Sequence, residues 1–402
     1  MASTTGTESE PPARGRIGDS CRRGAAAAAF AGLGAYSGCL AALLPTLKAS
    51  LHATDATLGA ALLAGAAGAL PGGIVLGPLA ARAGRQALSL CVGAAGLLII
   101  GLAGASSMAQ FVLALVVLGA AWSVVDVITN GVIVAHERRD RRPLLQAAHA
   151  YYPVAAMLAS LGTGIALQVG ASVASILHVV VIINIAIALG NIGALSPQVQ
   201  PVAGARRSHI PRPVLIIGLI GCLAFLFESA LFSWSAIDVA QVYASNAFVA
   251  ALAPTAFSLA MVISRVLAHR RSARLSNAAL MKHGLGAAGA GVALAALAPH
   301  PIAAIAGFGL TGFGLGSWAP AMYGMAGQVA HDTGRNSTIG EVATMSYSGM
   351  IVGPGLVGGI AGLAGLRLAV ACLAVPVVIL AFILHRWVGQ PASEGEPPAS
   401  PV

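Results

Sequence analysis

The chain has 402 residues, of which 57% are hydrophobic and 9% are charged, and its mean hydropathy is +0.85. Soluble globular chains carry about 25% charged residues, so this composition excludes a water-soluble protein and indicates that most of the surface faces lipid. The formal net charge of +9 does not indicate nucleic-acid binding, because the basic residues lie in short segments between apolar runs.

The apolar runs follow one another along the chain, and each is long enough for the roughly 20 residues that a membrane-spanning helix needs. Charged residues, proline or glycine separate them. In chain order the runs are 24–47, 57–81, 86–105, 108–135, 144–168, 172–195, 213–237, 244–268, 278–298, 301–326, 338–363 and 367–387. The pattern predicts an all-α membrane protein with twelve transmembrane helices.

The only long polar segment between runs lies at the midpoint of the chain and contains four prolines. It predicts two six-helix halves joined by a linker, as in transporters built from parallel repeats. The predicted organisation is a disordered tail, a bundle, a linker, a second bundle and a second disordered tail, at 1–20, 21–195, 196–213, 214–390 and 391–402.

The distribution of lysine and arginine predicts the orientation. With the N-terminus in the cytoplasm, every one of the 22 basic residues except Lys48 and Arg367 falls on the cytoplasmic side, with Arg265 counted among the flanks of the loop between runs eight and nine. We therefore expect a multi-pass membrane protein with both termini in the cytoplasm.

The turn between runs two and three reads GPLAARAGRQ over 77–86. It resembles the signature of the major facilitator superfamily, G-x-L-a-D-R-x-G-R-[RK], at the place where that family has it. Ala81 stands where the family has Asp, and Gln86 where it has a basic residue. The resemblance implies two six-helix pseudo-symmetric halves and a cytoplasmic gate, whose candidate residues here are Gly77, Arg82, Gly84, Arg85 and Glu137.

Elementary chemistry suggests a role for each gate residue. We expect Gly77 to allow a close approach of the second helix, Gly84 to make the turn, and the arginines to stay at the interface. Glu137 lies beside Arg138 and is expected to form a structural ion pair.

A narrower resemblance runs through the membrane domain. The pieces are Asp126-x3-Asn130, Glu137-Arg138, His149-x2-Tyr152, Glu228-x5-Trp234, Asp332-Thr333-Gly334, Gly353-Pro354 and Gly365-Leu366-Arg367. In this order they resemble the YbjJ-like branch related to fucose permease. The resemblance implies a transporter of the bacterial inner (cytoplasmic) membrane, and fucose permease itself is a proton–sugar symporter.

Two carboxylates, Asp126 and Glu228, lie deepest in the predicted spans. An ionisable side chain at the centre of a bilayer costs roughly 2.5–3.5 kcal/mol on insertion scales, which favours a functional role. Asp126 shares a helical face with Asn130, and His149 lies about one turn into the fifth helix. Each could bind protons or substrate, or could instead be a buried polar group satisfied by hydrogen bonds from neighbouring helices.

Aromatic residues fall on the helices that line the pathway in this fold, namely the first, fourth, seventh and tenth. They are Tyr36, Trp122, Trp234, Trp318 and Tyr323, with Tyr152 and Tyr347 on the fifth and eleventh. Such rings can stack on a sugar or another organic solute, although the same residues also serve as ordinary packing and interface anchors.

These features lead to a secondary active transporter that moves a small organic solute, sugar-like or a similar metabolite, by alternating access coupled to protons. The alternatives are a proton-driven exporter of drugs or metabolites and a transporter-fold sensor without flux. The sequence contains no phosphate-binding loop of the G-x4-G-K-[ST] type and no hydrolase or zinc-protease motif, so we expect no enzyme activity, cofactor or metal. The expected partners are the solute, protons and the lipid bilayer, with no nucleic acid, and the chain is expected to be a monomer.

Overall fold

The structure is a computed structural model that describes residues 13–140, 144–194, 210–271, 275–329 and 335–388. All of these residues lie in helices or short connections. Residues 196–209 of the predicted linker and the whole predicted C-terminal tail lie outside the described residues.

Six helical spans form the first half. They are α1 (Ala13–Ser50), α2 (Asp55–Ala81, with a π-helical segment at Gly72–Leu76), α3 (Gly84–Ala103), α4 (Met108–Asp140), α5 (Leu145–His149 and Tyr151–Gln168) and α6 (Val173–Ala194).

Six further spans form the second half. They are α7 (Arg212–Val242), α8 (Ala247–Arg271), α9 (Asn277–Leu297), α10 (Pro301–Gly316 and Trp318–Val329), α11 (Arg335–Ala364) and α12 (Leu366–Cys372 and Ala374–Val388). Within the described residues, twelve helices are long and apolar enough to cross a membrane, which confirms the predicted fold class.

The first helix begins earlier than the sequence suggests. It starts at Ala13, so residues 13–20 are helical although they were predicted to belong to a disordered tail. From Ala13 onward no proline occurs until Pro45, so the segment before the apolar run contains no proline to interrupt a helix. The helix of the first span can therefore extend beyond its apolar part.

The bundle has two ends, which we name by their charges. The Lys48 face carries the helix ends at Lys48 and Arg367, and the arginine-rich face carries those at Arg82, Arg270 and Arg271. On the Lys48 face, Lys48 forms an ion pair with Asp55 across the α1–α2 turn.

The two halves pack closely near the Lys48 face. A Cβ atom added to Gly59 of α2 would lie only 2.6 Å from the Cα of Gly358 in α11. Ser160 of α5 and Thr255 of α8 share a hydrogen bond of 2.8 Å between their hydroxyls. Small residues allow this approach of backbones, as is typical of helix pairs in membranes.

Within the first half, α1 is held by its neighbours through backbone contacts of the same kind. A Cβ at Gly38 would lie 2.1 Å from the carbonyl oxygen of Ala156 in α5. The amide of Asn191 in α6 donates to the carbonyl oxygen of Ala25 at 2.8 Å. These contacts fix the rotation of α1 and thereby the direction in which its polar residues point.

Candidate functional site

Asp126 lies near the middle of α4, where it is half-buried and bonded across the two halves. The hydroxyl of Tyr347 in α11 donates to Oδ2 of Asp126 at 3.4 Å. One turn along α4, Nδ2 of Asn130 donates to the backbone carbonyl oxygen of Asp126 at 2.8 Å. The carboxylate therefore lies against protein and not only against lipid, because one of its partners comes from the opposite half.

His149 extends this polar chain to α5. Its Nε2 lies 3.0 Å from Oδ1 of Asn130, and its ring centroid lies 4.3 Å from that of Phe30 in α1. Nδ2 of Asn130 already donates to the carbonyl oxygen of Asp126, so Oδ1 remains as the hydrogen-bond acceptor. His149 must therefore carry a proton on Nε2 to donate to this oxygen. His149 is the last residue of the first segment of α5, so its carbonyl oxygen is available to accept a hydrogen bond from outside this helix.

Arg265 makes the contact that the sequence did not predict. The charge count grouped it with the flank of the loop between α8 and α9, although it falls within the predicted eighth run. In the structure it lies inside α8, six residues before the helix end. Its Nη1 donates to the carbonyl oxygen of His149 at 3.3 Å, and its Nε donates to that of Gly316 in α10 at 3.1 Å. A guanidinium of the second half thus bonds to the backbone of the first.

A periodic signal could have identified this placement. Ser258, Met261 and Arg265 recur at helical spacing along α8, and the first two are buried. The third residue of such a stripe is expected to point the same way. The sulfur of Met261 lies 3.4 Å from Nη2 of Arg265, which agrees with a shared face.

Glu228 of α7 is the second carboxylate of the site and is half-buried. Arg265 is the cation within electrostatic range of it. Tyr152 of α5 and Tyr323 of α10 lie in the field of both Glu228 and Asp126. The structure therefore brings both predicted carboxylates and both of these predicted tyrosines into one region between the halves.

Tyr36 of α1 and Trp122, which lies one turn before Asp126 on α4, form an aromatic pair. Their rings are stacked, with centroids 5.5 Å apart and planes at 22°. Nε1 of Trp122 is buried and has no hydrogen-bond partner among the described residues. A buried N–H without an acceptor is costly, and Nε1 of Trp318 shares this state.

The two other predicted tryptophans lie in packing contacts. Trp234 is 1% exposed, and its Nε1 donates to the carbonyl oxygen of Pro354 in α11 at 2.9 Å. Trp318 is 2% exposed, and a Cβ at Gly284 of α9 would lie 2.7 Å from its Nε1. These contacts place Trp234 between α7 and α11 and Trp318 against α9.

The predicted gate residues lie at the arginine-rich face. Gly84 has φ +62°, a conformation that favours glycine, and makes the turn between α2 and α3 as expected. Arg82 and Arg85 are exposed. Gly77 does not allow the close approach expected of it, because an added Cβ would lie at an ordinary 3.5 Å from Val127.

Two further features of this region differ from expectation. The close approach of α2 to α4 occurs at Gly72, where a Cβ would lie 2.3 Å from the carbonyl oxygen of Ala120. Oε1 of Glu137 accepts the backbone N–H groups of Leu144 and Leu145 at 2.6 and 2.8 Å. Glu137 thus caps the first segment of α5, where an acidic group at a helix N-terminus is stabilising.

The assembled site contains two carboxylates, one guanidinium, one imidazole and three phenols, contributed by both halves. Such groups can exchange protons and donate hydrogen bonds to a polar solute. No cluster of three or more metal-ligating side chains occurs in the part of the chain that the structure describes.

Comparison with known proteins agrees with this architecture. Residues 217–401 match the family model of the Major Facilitator Superfamily. An uncharacterized MFS-type transporter of Yersinia pestis is 28% identical over 354 residues, which cover 88% of this chain and 91% of the relative. An uncharacterized transporter of Sinorhizobium fredii is 28% identical over 377 residues, covering 90% of this chain and 97% of that protein.

Solved structures show the same fold at low identity. The nucleoside transporter NupG aligns with a TM-score of 0.66 at 12% identity, over 93% of this chain and 100% of its own. A bacterial homolog of the human lysosomal transporter Spinster, inward-facing and occupied, aligns with a TM-score of 0.70 at 15% identity, over 97% of this chain and 100% of its own. The chain therefore has the major facilitator fold, and its matched family model and its relatives are those of membrane transporters and not of enzymes.

Proposed function

We propose that the chain is a secondary active transporter that moves a small organic solute, sugar-like or a similar metabolite, by proton-coupled alternating access. The proposal includes a place in the YbjJ-like branch related to fucose permease, and a bacterial inner-membrane location with the arginine-rich face in the cytoplasm. The observation that carries it is the hydrogen bond from Tyr347 to Asp126, which joins the two halves at a carboxylate inside the membrane.

The packing of the halves supports alternating access. Near the Lys48 face they meet backbone to backbone at Gly59 and Gly358, and side chain to side chain at Ser160 and Thr255. This state is closed at that end. Rocking of one half against the other would separate these contacts and expose the same site to the other side.

Asp126 is suited to couple this motion to protons. A hydrogen bond to an ionised acceptor is roughly twice as strong as one between neutral groups, so the bond from Tyr347 is strongest when Asp126 is charged. Protonation of Asp126 weakens the bond between the halves and removes a charge from the membrane interior. Both effects favour movement with the proton bound.

Arg265 and Glu228 provide a second linkage between charge and conformation. Both belong to the second half, but the guanidinium also holds the carbonyl oxygen of His149 in the first half. A charged Glu228 attracts Arg265, whereas a protonated Glu228 leaves the guanidinium to its backbone acceptors. Protonation of Glu228 therefore changes the strength of the hydrogen bond between Arg265 of α8 and His149 of α5.

The stacked pair of Tyr36 and Trp122 supports an organic solute. Tyr36 is 8% and Trp122 is 4% exposed, so the pair is closed in this state. Once opened by the motion of the halves, the rings would offer apolar faces to a sugar or a heterocycle, and the unpartnered Nε1 of Trp122 would offer a hydrogen bond. The same fold in NupG belongs to a nucleoside transporter. Nucleosides therefore belong beside sugars among the candidate solutes.

The test begins with binding and continues with flux. Purified chain is screened by thermal shift against hexoses, deoxyhexoses and nucleosides, since a ligand at 100 times its Kd stabilises the folded form by about 2.7 kcal/mol. Each stabilising compound is then followed into proteoliposomes with and without an imposed pH gradient. We expect gradient-driven uptake by the unaltered chain and its loss in Asp126→Asn, with solute exchange at zero gradient retained.

Asp55→Asn is the matched control, because it removes the same charge from the Lys48 face, outside the site. Gradient-driven uptake in Asp126→Asn equal to that in Asp55→Asn would contradict the coupling role. Solute movement only from the proton-poor into the proton-rich compartment, against the direction of proton flow, would identify an exporter. Binding without flux in the unaltered chain would identify a sensor.

A further inference from the structure

A groove runs along the outer surface between α9 and α12, away from the site described above. Its volume is about 580 Å³. Its floor is formed by Leu285 and Leu384, which are 6% and 1% exposed. Gly286 and Ala381 line it from the two helices and are exposed, so the groove opens to the outside of the bundle.

The surroundings of the groove face the hydrocarbon of the bilayer. Val378 and Phe382 of α12 are 67% and 59% exposed, and Leu294 of α9 is 39% exposed. Large apolar side chains at this exposure are stable only against lipid or another protein. From Lys282 to Ala290 the groove follows about 12 Å of helix, most of the roughly 15 Å thickness of one leaflet's hydrocarbon.

One end of the groove is polar, and its polar groups are basic. Lys282 and His385 line it at the arginine-rich face, and both are exposed. Arg386 follows directly, with its guanidinium 4.9 Å from the ring centroid of Phe382. Neither α9 nor α12 contains an Asp or Glu anywhere along its length, so no acidic side chain of these helices neutralises Lys282.

An apolar slot with a cation at the membrane interface matches the two parts of one molecule. A phospholipid acyl chain fills the slot, and the phosphate of its head group reaches the ammonium. Basic pockets between transmembrane helices on the cytoplasmic side bind anionic head groups in this way. A zwitterionic lipid would gain less, because its own ammonium offsets the attraction to Lys282.

We propose that the groove between α9 and α12 is a binding site for an anionic phospholipid, with its phosphate on Lys282 and His385 and an acyl chain along Gly286 and Ala290. The lipid fills the surface depression left by glycine and alanine and ties the start of α9 to the end of α12. This site is independent of transport.

Native mass spectrometry of the delipidated full chain tests the proposal, with phosphatidylglycerol or phosphatidylcholine of the same acyl chains added back. We expect one phosphatidylglycerol to bind in preference to phosphatidylcholine. Lys282→Gln should weaken phosphatidylglycerol binding about fivefold, the effect of roughly one basic residue near an anionic head group. Arg212→Gln is the matched control, because Arg212 is an exposed basic residue on the same face outside the groove.

Gly286→Leu tests the acyl chain without changing charge. A Cβ at Gly286 meets nothing within 4 Å, so the variant should fold and fill the slot. Loss of the bound lipid in this variant supports the proposal. Equal lipid binding by all variants would overturn the proposal, and so would equal binding of phosphatidylglycerol and phosphatidylcholine. A change between monomer and dimer caused by Gly286→Leu would also overturn it, because it would identify a second copy of the chain as the occupant.

Discussion

Replacing Gly59 by alanine should separate the two halves at the Lys48 face. The added Cβ would lie 2.6 Å from the Cα of Gly358, a backbone atom that cannot rotate away. Carbon atoms pack best at about 3.5–4.0 Å, so α2 and α11 must move apart by about 1 Å. Overpacking of this kind costs about 1–3 kcal/mol.

This cost applies only to the state in which the two helices touch. If the chain alternates between states, Gly59→Ala raises the population that is open at the Lys48 face by about 5- to 150-fold relative to the closed one. Spin labels at Val169, directly after α5, and at Leu363 of α11, which are 78% and 92% exposed, would report the change as a longer distance. The five native cysteines must first be replaced.

Gly101→Ala is the matched control, since a Cβ at Gly101 in α3 meets nothing within 4 Å. The reasoning is refuted if Gly59→Ala and Gly101→Ala give the same distance distribution and the same midpoint of thermal unfolding. A fall in that midpoint without a longer distance would show that the contact is structural and that α2 and α11 do not separate.

Two further substitutions test single hydrogen bonds. Tyr347→Phe removes the hydrogen-bond donor to Asp126, so the pH profile of solute flux should shift while solute binding is kept. An unchanged pH profile of flux would exclude Tyr347 from coupling. Asn191→Leu removes the bond to the carbonyl oxygen of Ala25 and should destabilise the chain by about 1 kcal/mol, seen as a lower unfolding midpoint, with no change in the pH profile.

The fold was predictable because each span carries its own signal. Twenty apolar residues cross a bilayer whatever their neighbours do, so the runs could be placed without knowledge of the packing. Helix ends were less predictable, as at Ala13, where a charged segment continues the first helix. Such ends depend on the absence of helix breakers rather than on hydropathy.

The site was predictable only within single helices. Asp126 and Asn130 are one turn apart, so their shared face follows from helical geometry, and the structure shows them bonded. Their partners Tyr347 and His149 lie on other helices, and the rotation of those helices is set by packing. Hydropathy alone could not have paired them.

Arg265 shows why a count of charges misplaces a buried residue. The positive-inside rule concerns residues near helix ends, and Arg265 lies close enough to the end of α8 to be counted with Arg270 and Arg271. A guanidinium is stable inside the bundle, however, when carbonyl oxygens accept its hydrogen bonds, as those of His149 and Gly316 do here. Because one of these acceptors belongs to each half, the bond to His149 must break if α5 and α8 separate at this level, whereas the bond to Gly316 can persist. In the proposed rocking motion, Arg265 would therefore move with the second half and stay beside Glu228, while its bond to the first half would be made and released.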